Sequence, residues 1–202
     1  MTLADFNKEL KTISLEESKI SFVQKNLFHG LPFVFNGREA DYFNFRKKIA
    51  ENFNVSFHEV FIVGSAKLGF SYHKNTEFSY ESDIDVVIVN EGLYESYFEK
   101  ISDYQYQLDK QYHTVNIFEK QQYQGFLQYL IKGWMRPDKL PTSFQINIIK
   151  DDWFDFFKSI SNGKAEVGNY KVAGGLFKNY KYLEKYYLNG VTEYYRKLTI
   201  GK

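Results

Sequence analysis

Cysteine is absent from the chain, which excludes disulfides, thiolate metal sites and a cysteine nucleophile together. Net charge is nearly absent too: 26 Lys and Arg stand against 25 Asp and Glu, a formal +1 that implies no global attraction to nucleic acid or an anionic membrane. The N-terminal stretch MTLADFNKELKTISLEESKISF carries acids and lysines where a secretory signal or a membrane span would need a continuous apolar run. A soluble cytoplasmic protein with no membrane partner is expected. The four histidines, His29, His58, His73 and His113, are scattered without metal-ligand spacing, so no zinc site is expected. Of only three prolines, two fall in GWMRPDKLP, residues 133–141, which predicts an irregular connector there.

Aromatic residues are plentiful: 20 Phe and 17 Tyr contribute to a 19% aromatic content. Interleaved with lysines they could stack on nucleic-acid bases, but most fall at helical spacing, which favours packing. The 202 residues, 44% of them hydrophobic, are enough for a single domain over 1–202. Its core is expected over about 38–178, with an N-terminal helical extension over 1–30 and a C-terminal helix over about 176–199.

Residues 4–27 are loosely amphipathic and predict one or two short helices. Asn36 is a candidate N-cap for a helix over about 38–53, with Phe45, Ile49 and Phe53 at helical intervals. Val60–Val63 predicts a first strand ending at Gly64-Ser65. Ala66 to Phe70 could open a short helix, and polar residues 72–81 form an insertion. Residues 84–89, IDVVIV, predict a strand buried on both faces. Helices are expected over 93–108 and 119–132. Residues 143–160 are ambiguous between strand and helix, and 169–178 predicts a short strand interrupted by Gly174-Gly175. The final segment is the clearest amphipathic helix, with Asn189-Gly190 as a candidate break.

The chemistry concentrates in residues 61–89, FIVGSAKLGFSYHKNTEFSYESDIDVVIV. In an extended strand Asp83 and Asp85 project from one face while Ile84 points to the other. Paired carboxylates suit Mg²⁺, a hard cation that takes one or two carboxylates together with substrate phosphates. Gly64 permits close backbone approach to a phosphate, and the Ser65 hydroxyl can hydrogen-bond one. Lys67 is close enough in sequence to reach a triphosphate, although a lysine in a polar loop is often simply solvated. Ser71 and Ser82 are candidates for loop-supporting hydrogen bonds.

The string GSAKLGFS followed by SDID resembles the DNA polymerase β-like minimal nucleotidyltransferase superfamily, over about residues 58–90. The resemblance implies an α/β (α+β) fold: a small mixed sheet flanked by helices, with a helical C-terminal segment. It implies a Mg²⁺- or Mn²⁺-dependent transfer of a nucleoside monophosphate from a nucleoside triphosphate to an acceptor hydroxyl, with pyrophosphate leaving. Asp83 and Asp85 would be the catalytic metal ligands, and Gly64, Ser65 and Lys67 the nucleotide-binding residues. The acceptor is open among protein, RNA and small molecule, and a protein partner or a second copy of the chain is compatible. The superfamily also uses a third carboxylate on a neighbouring strand. A strand over 144–149 would offer only Gln145 and Asn147, and one over 169–174 no acid. Glu166, Asp151 and Asp152 are the nearby substitutes, although the last two read better as acids at a helix N-terminus. Arg136 and Lys139 could meet a nucleotide or acceptor, and Arg136 also suits a structural ion pair. Without the third acid, the alternative is a module that binds nucleotide or a protein partner and has lost turnover.

Overall fold

A computed structural model describes residues 1–13, 16–137, 140–141 and 147–200. The architecture is mixed α and β: a four-stranded mixed sheet, a two-stranded hairpin and flanking helices, the last of them long. Two helices, α1 (Leu3–Lys11) and α2 (Glu16–Val23), open the chain, and α2 continues into a π-helical turn over Gln24–Phe28. Helix α3 (Glu39–Phe53) follows the expected range, but its N-cap is Arg38, without a side-chain cap, and Asn36 instead closes the 3₁₀ turn Phe33–Phe35.

Strand β1 (Val60–Val63) leads directly into the short helix α4 (Gly64–Leu68). The expected insertion contains a hairpin of β2 (Phe70–Ser71) and β3 (Thr76–Glu77). Its loops are held as their serines suggested: Ser71 Oγ accepts from Lys74 N, and Ser82 Oγ accepts from Ser79 N. Strand β4 (Ile84–Val89) precedes α5 (Glu91–Asp109), capped by Asn90, and α6 (Ile117–Leu130), opened by an Asn116–Glu119 capping box.

Four expectations are changed or resolved. The 133–141 connector holds a short strand, β5 (Trp134–Met135). Residues 147 onward form a helix, α7 (Asn147–Ser159), while Phe144, Gln145 and Ile146 lie outside the described residues. Strand β6 (Val172–Phe177) runs through Gly174-Gly175 without interruption, since bare backbone there lets Phe157 and Trp134 close on the sheet: a Cβ on Gly174 would lie 2.1 Å from the Phe157 ring, and one on Gly175 2.6 Å from Trp134 Nε1. Helix α8 (Tyr180–Ile200) passes through Asn189-Gly190 and begins after Leu176, which belongs to β6.

The sheet order is β1-β4-β6-β5, with β4 antiparallel to β1 and parallel to β6. The strands' two-residue alternation divides the apolar residues between two layers. Ile84, Val86 and Ile88 join Val60 and Ile62 in the main core, packed against Phe45 and Phe53 of α3, Tyr97 of α5 and Trp153 of α7. Val63, Val87 and Val89 face the other way, toward Leu183 and Tyr187 of α8. A third cluster ties Phe6, Leu10 and Phe22 of the N-terminal helices to Phe70, Tyr72 and α8 residues Val191 and Tyr194. No helix among the described residues is long and apolar enough to cross a membrane.

Candidate functional site

The alternation that buries Val87 and Val89 under α8 also places Asp85, two residues earlier, on that face, and the β1–β4 register sets Asp85 opposite Val63. Gly64 follows Val63 with φ +67, a conformation that favours glycine. The turn presses backbone against carboxylate: a Cβ on Gly64 would lie 2.8 Å from Asp85 Oδ2. Ser65 occupies the next position of α4, and both Gly64 and Ser65 line a cavity of about 650 Å³ between that turn, the β2–β3 hairpin and α8. Tyr182, Lys185, Tyr186 and Asn189 of α8 form its far wall, and Lys132 lies at the edge.

Asp83 immediately precedes β4, and its Oδ2 meets Lys171 Nζ at 3.4 Å in an exposed ion pair. Asp85 is reached by solvent, yet surrounding protein crowds its carboxyl. Burial, and then repulsion from Asp83, raise its pKa above the ordinary carboxylate value; Arg136, Lys74 and Lys171 pull it back. Asp85 in turn acts on α8: burial and then Asp85 push the Tyr187 phenol well above its usual value.

Lys67 departs from the sequence expectation. The five-residue helix turns its side chain inward, and Nζ donates to the carbonyls of His29 (2.5 Å) and Gly30 (2.9 Å). Burial lowers its pKa to about 8, while the carbonyls favour the charged form. This amine stitches the segment after the π-helical turn to α4, and Lys67 does not line the cavity beside Ser65.

The strand beside Asp85 supplies no third carboxylate. In the parallel β4–β6 register Ala173 pairs with Asp85, and β6 contains no acid. Glu166 is turned away and bonded to Lys48 Nζ at 3.0 Å through both oxygens. Asp152 lines a separate shallow hollow with Asn52 and Tyr97. Asp151 falls within α7, and Gln145 and Lys139 lie outside the described residues. No group of three or more histidine, aspartate or glutamate side chains among the described residues is placed to hold a metal.

The donor set still fits a divalent cation whose remaining ligands come from substrate phosphates. Two hard carboxylates lie two residues apart, Asp83 just before β4 and Asp85 within it, and they are near enough that Asp83 raises the pKa of Asp85. Arg136, Lys171 and the α8 tyrosines were not legible as one constellation, because only the β6 register and the return of α8 across the sheet bring them to Asp85. Comparison with protein-family models, with curated proteins and with solved structures returns no match to this chain.

Proposed function

We propose that the chain is a cytoplasmic, metal-dependent nucleotidyltransferase that moves a nucleoside monophosphate from a nucleoside triphosphate to an acceptor hydroxyl. The observation that supports this is the close approach of the Gly64 turn to Asp85, with Gly64 and Ser65 lining the larger cavity and Asp83 near enough to Asp85 to raise its pKa. In the reaction the acceptor oxygen forms a bond to the α-phosphorus and the bond from that phosphorus to the bridging oxygen of pyrophosphate breaks. The acceptor proton passes to solvent. Gly64 and Ser65 hold the β and γ phosphates, and Asp83 and Asp85 hold Mg²⁺ or Mn²⁺. The bound ion supplies neutralisation of the triphosphate charge as it redistributes. The Tyr182 and Tyr186 wall of the 650 Å³ cavity offers aromatic surface to a nucleobase and keeps water from the phosphates.

The lack of an acid on β6 beside Asp85 favours a second reading, a nucleotide-binding module without turnover. The two separate in one experiment. Wild type and Asp83→Ala/Asp85→Ala are incubated with Mg²⁺ or Mn²⁺ and each α-labelled nucleoside triphosphate, with and without cell extract. Label transfer that disappears in the double variant supports the enzyme; nucleotide binding without transfer under every condition favours the module.

A further inference from the structure

The 650 Å³ cavity changes character along α8. Tyr182, Tyr186, Asn189 and Glu193 fall at i, i+4, i+7 and i+11, which sets them on one face of the helix, and all four line the cavity. Lys132 and Lys185 stand toward the Tyr182 end, where the tyrosine packs over Gly133 so closely that a Cβ there would lie 2.3 Å from its ring. At the opposite end Glu193 is the one carboxylate that lines the cavity among the described residues, accompanied by Asn189 and His73. Gly190 lets the β2–β3 hairpin close on that end, since even a Cβ on it would sit 3.5 Å from His73 Nε2. Tyr186 also lines the hollow that contains Asp85. The seven residues of helix from Tyr186 to Glu193 rise about 10 Å, room for a nucleoside to run from the carboxylate pair to Glu193.

We propose that the Glu193 end of this cavity selects the nucleobase and that the nucleotide it takes is guanosine triphosphate, with Glu193 accepting from the guanine N1–H and 2-amino group and Asn189 donating to O6. The assignment rests on the nucleotidyltransferase reading above and deepens it. A carboxylate is an acceptor with two oxygens, and guanine alone among the four common bases presents two adjacent donors to match it in parallel. Adenine and cytosine offer one exocyclic amine beside a ring acceptor, and uracil one N–H between two carbonyls that a carboxylate repels. Lys197 Nζ meets Glu193 Oε1 at 2.9 Å in an exposed pair one turn apart. That contact leaves further acceptor positions on the carboxylate, and its hydrogen bond lowers the Glu193 pKa, which keeps the group an acceptor. The gradient orients the whole ligand: phosphates lie toward Gly64, Ser65 and the lysines, and the base lies toward the acid.

The test is titration calorimetry on the full chain with Mg²⁺ and, in turn, GTP, ATP, CTP, UTP and ITP, the last being the GTP analogue that lacks the 2-amino group. GTP is expected to bind at least about tenfold more tightly than ATP, CTP or UTP, with ITP several-fold weaker than GTP. Glu193→Gln, with circular dichroism to establish folding, is expected to erase the advantage of GTP over ITP and ATP. Lys197→Ala removes the same ion pair and is expected to keep that advantage, which separates base reading from helix stability. In wild type, equal binding of GTP and ITP, or a preference for ATP, CTP or UTP, would overturn the proposal without recourse to any variant; so would a GTP preference that survives Glu193→Gln or is lost equally in Lys197→Ala. Mg²⁺-dependent triphosphate binding and label transfer that persist in those cases show that the base assignment alone has failed. Absence of Mg²⁺-dependent binding of every triphosphate shows that the transferase reading has failed with it.

Discussion

Gly64 and Asp85 share a space that admits only one side chain: a Cβ at residue 64 would stand 2.8 Å from Asp85 Oδ2, on a backbone with φ +67. Gly64→Ala therefore combines left-handed strain with displacement of the carboxylate. It is expected to lower unfolding stability by about 1–3 kcal/mol and to abolish metal-dependent nucleotide binding. Chemical denaturation and calorimetry measure the two effects separately.

Lys67 is expected to behave as a structural residue. Its ammonium is held by the carbonyls of His29 and Gly30 inside the fold. Lys67→Met retains much of the apolar stem but leaves those carbonyls short of a donor, at an expected cost of about 1–3 kcal/mol. Thermal unfolding should register the loss, while the triphosphate affinity of the folded variant stays within about twofold of wild type, a difference of under 1 kcal/mol.

Asp85 makes stability depend on pH in a defined direction. Its folded-state pKa is raised, first by burial and then by Asp83, so the folded chain binds this proton more tightly than the unfolded chain. That contribution is fully present below the ordinary carboxylate value of 3.8 and is lost as pH rises through the folded-state value. Asp85→Asn is accordingly expected to melt higher than wild type at pH 7, with the difference shrinking as pH falls toward 4. Mg²⁺ should raise the melting temperature of wild type and leave that of Asp85→Asn unchanged.

Ala173 pairs with Asp85 across the parallel β4–β6 ladder. Ala173→Asp therefore adds a carboxylate beside the existing pair. Like-charge repulsion should lower its stability without metal. Mg²⁺ should reverse that loss and bind several-fold more tightly than to wild type, as read by melting temperature across a metal titration. If transfer is limited by the missing acid, the same variant turns over faster.

Strands β1 and β4 were legible because Val60–Val63 and Ile84–Val89 are short, apolar and bounded by polar or turn residues. Strand β5 was not, since Trp134 and Met135 offer two residues and no period; their pairing with Leu176 and Phe177 is a tertiary event. Glycines misled twice, for different reasons. Gly174 marks close approach by Phe157, not a break in β6, and in α8 a Cβ on Gly190 would come within 3.5 Å of His73 Nε2, an ordinary packing distance. Lys67 reads as a phosphate ligand because it follows the Gly64-Ser65 turn closely enough in sequence to reach a triphosphate; the short helix that turns it inward is set by Gly64's positive φ and by Gly69 N donating to Ser65 O.

The most direct measurement follows both ends of the triphosphate at once. The wild-type chain is incubated with Mg²⁺ and its preferred nucleoside triphosphate, labelled in parallel at the α or the γ phosphate, together with acceptor. The proposed roles of Gly64, Ser65, Asp83 and Asp85 predict α label on the acceptor and γ label in pyrophosphate, both lost in Asp83→Ala/Asp85→Ala. Transfer of γ label to the acceptor, or α-label transfer that survives the double substitution, would contradict it.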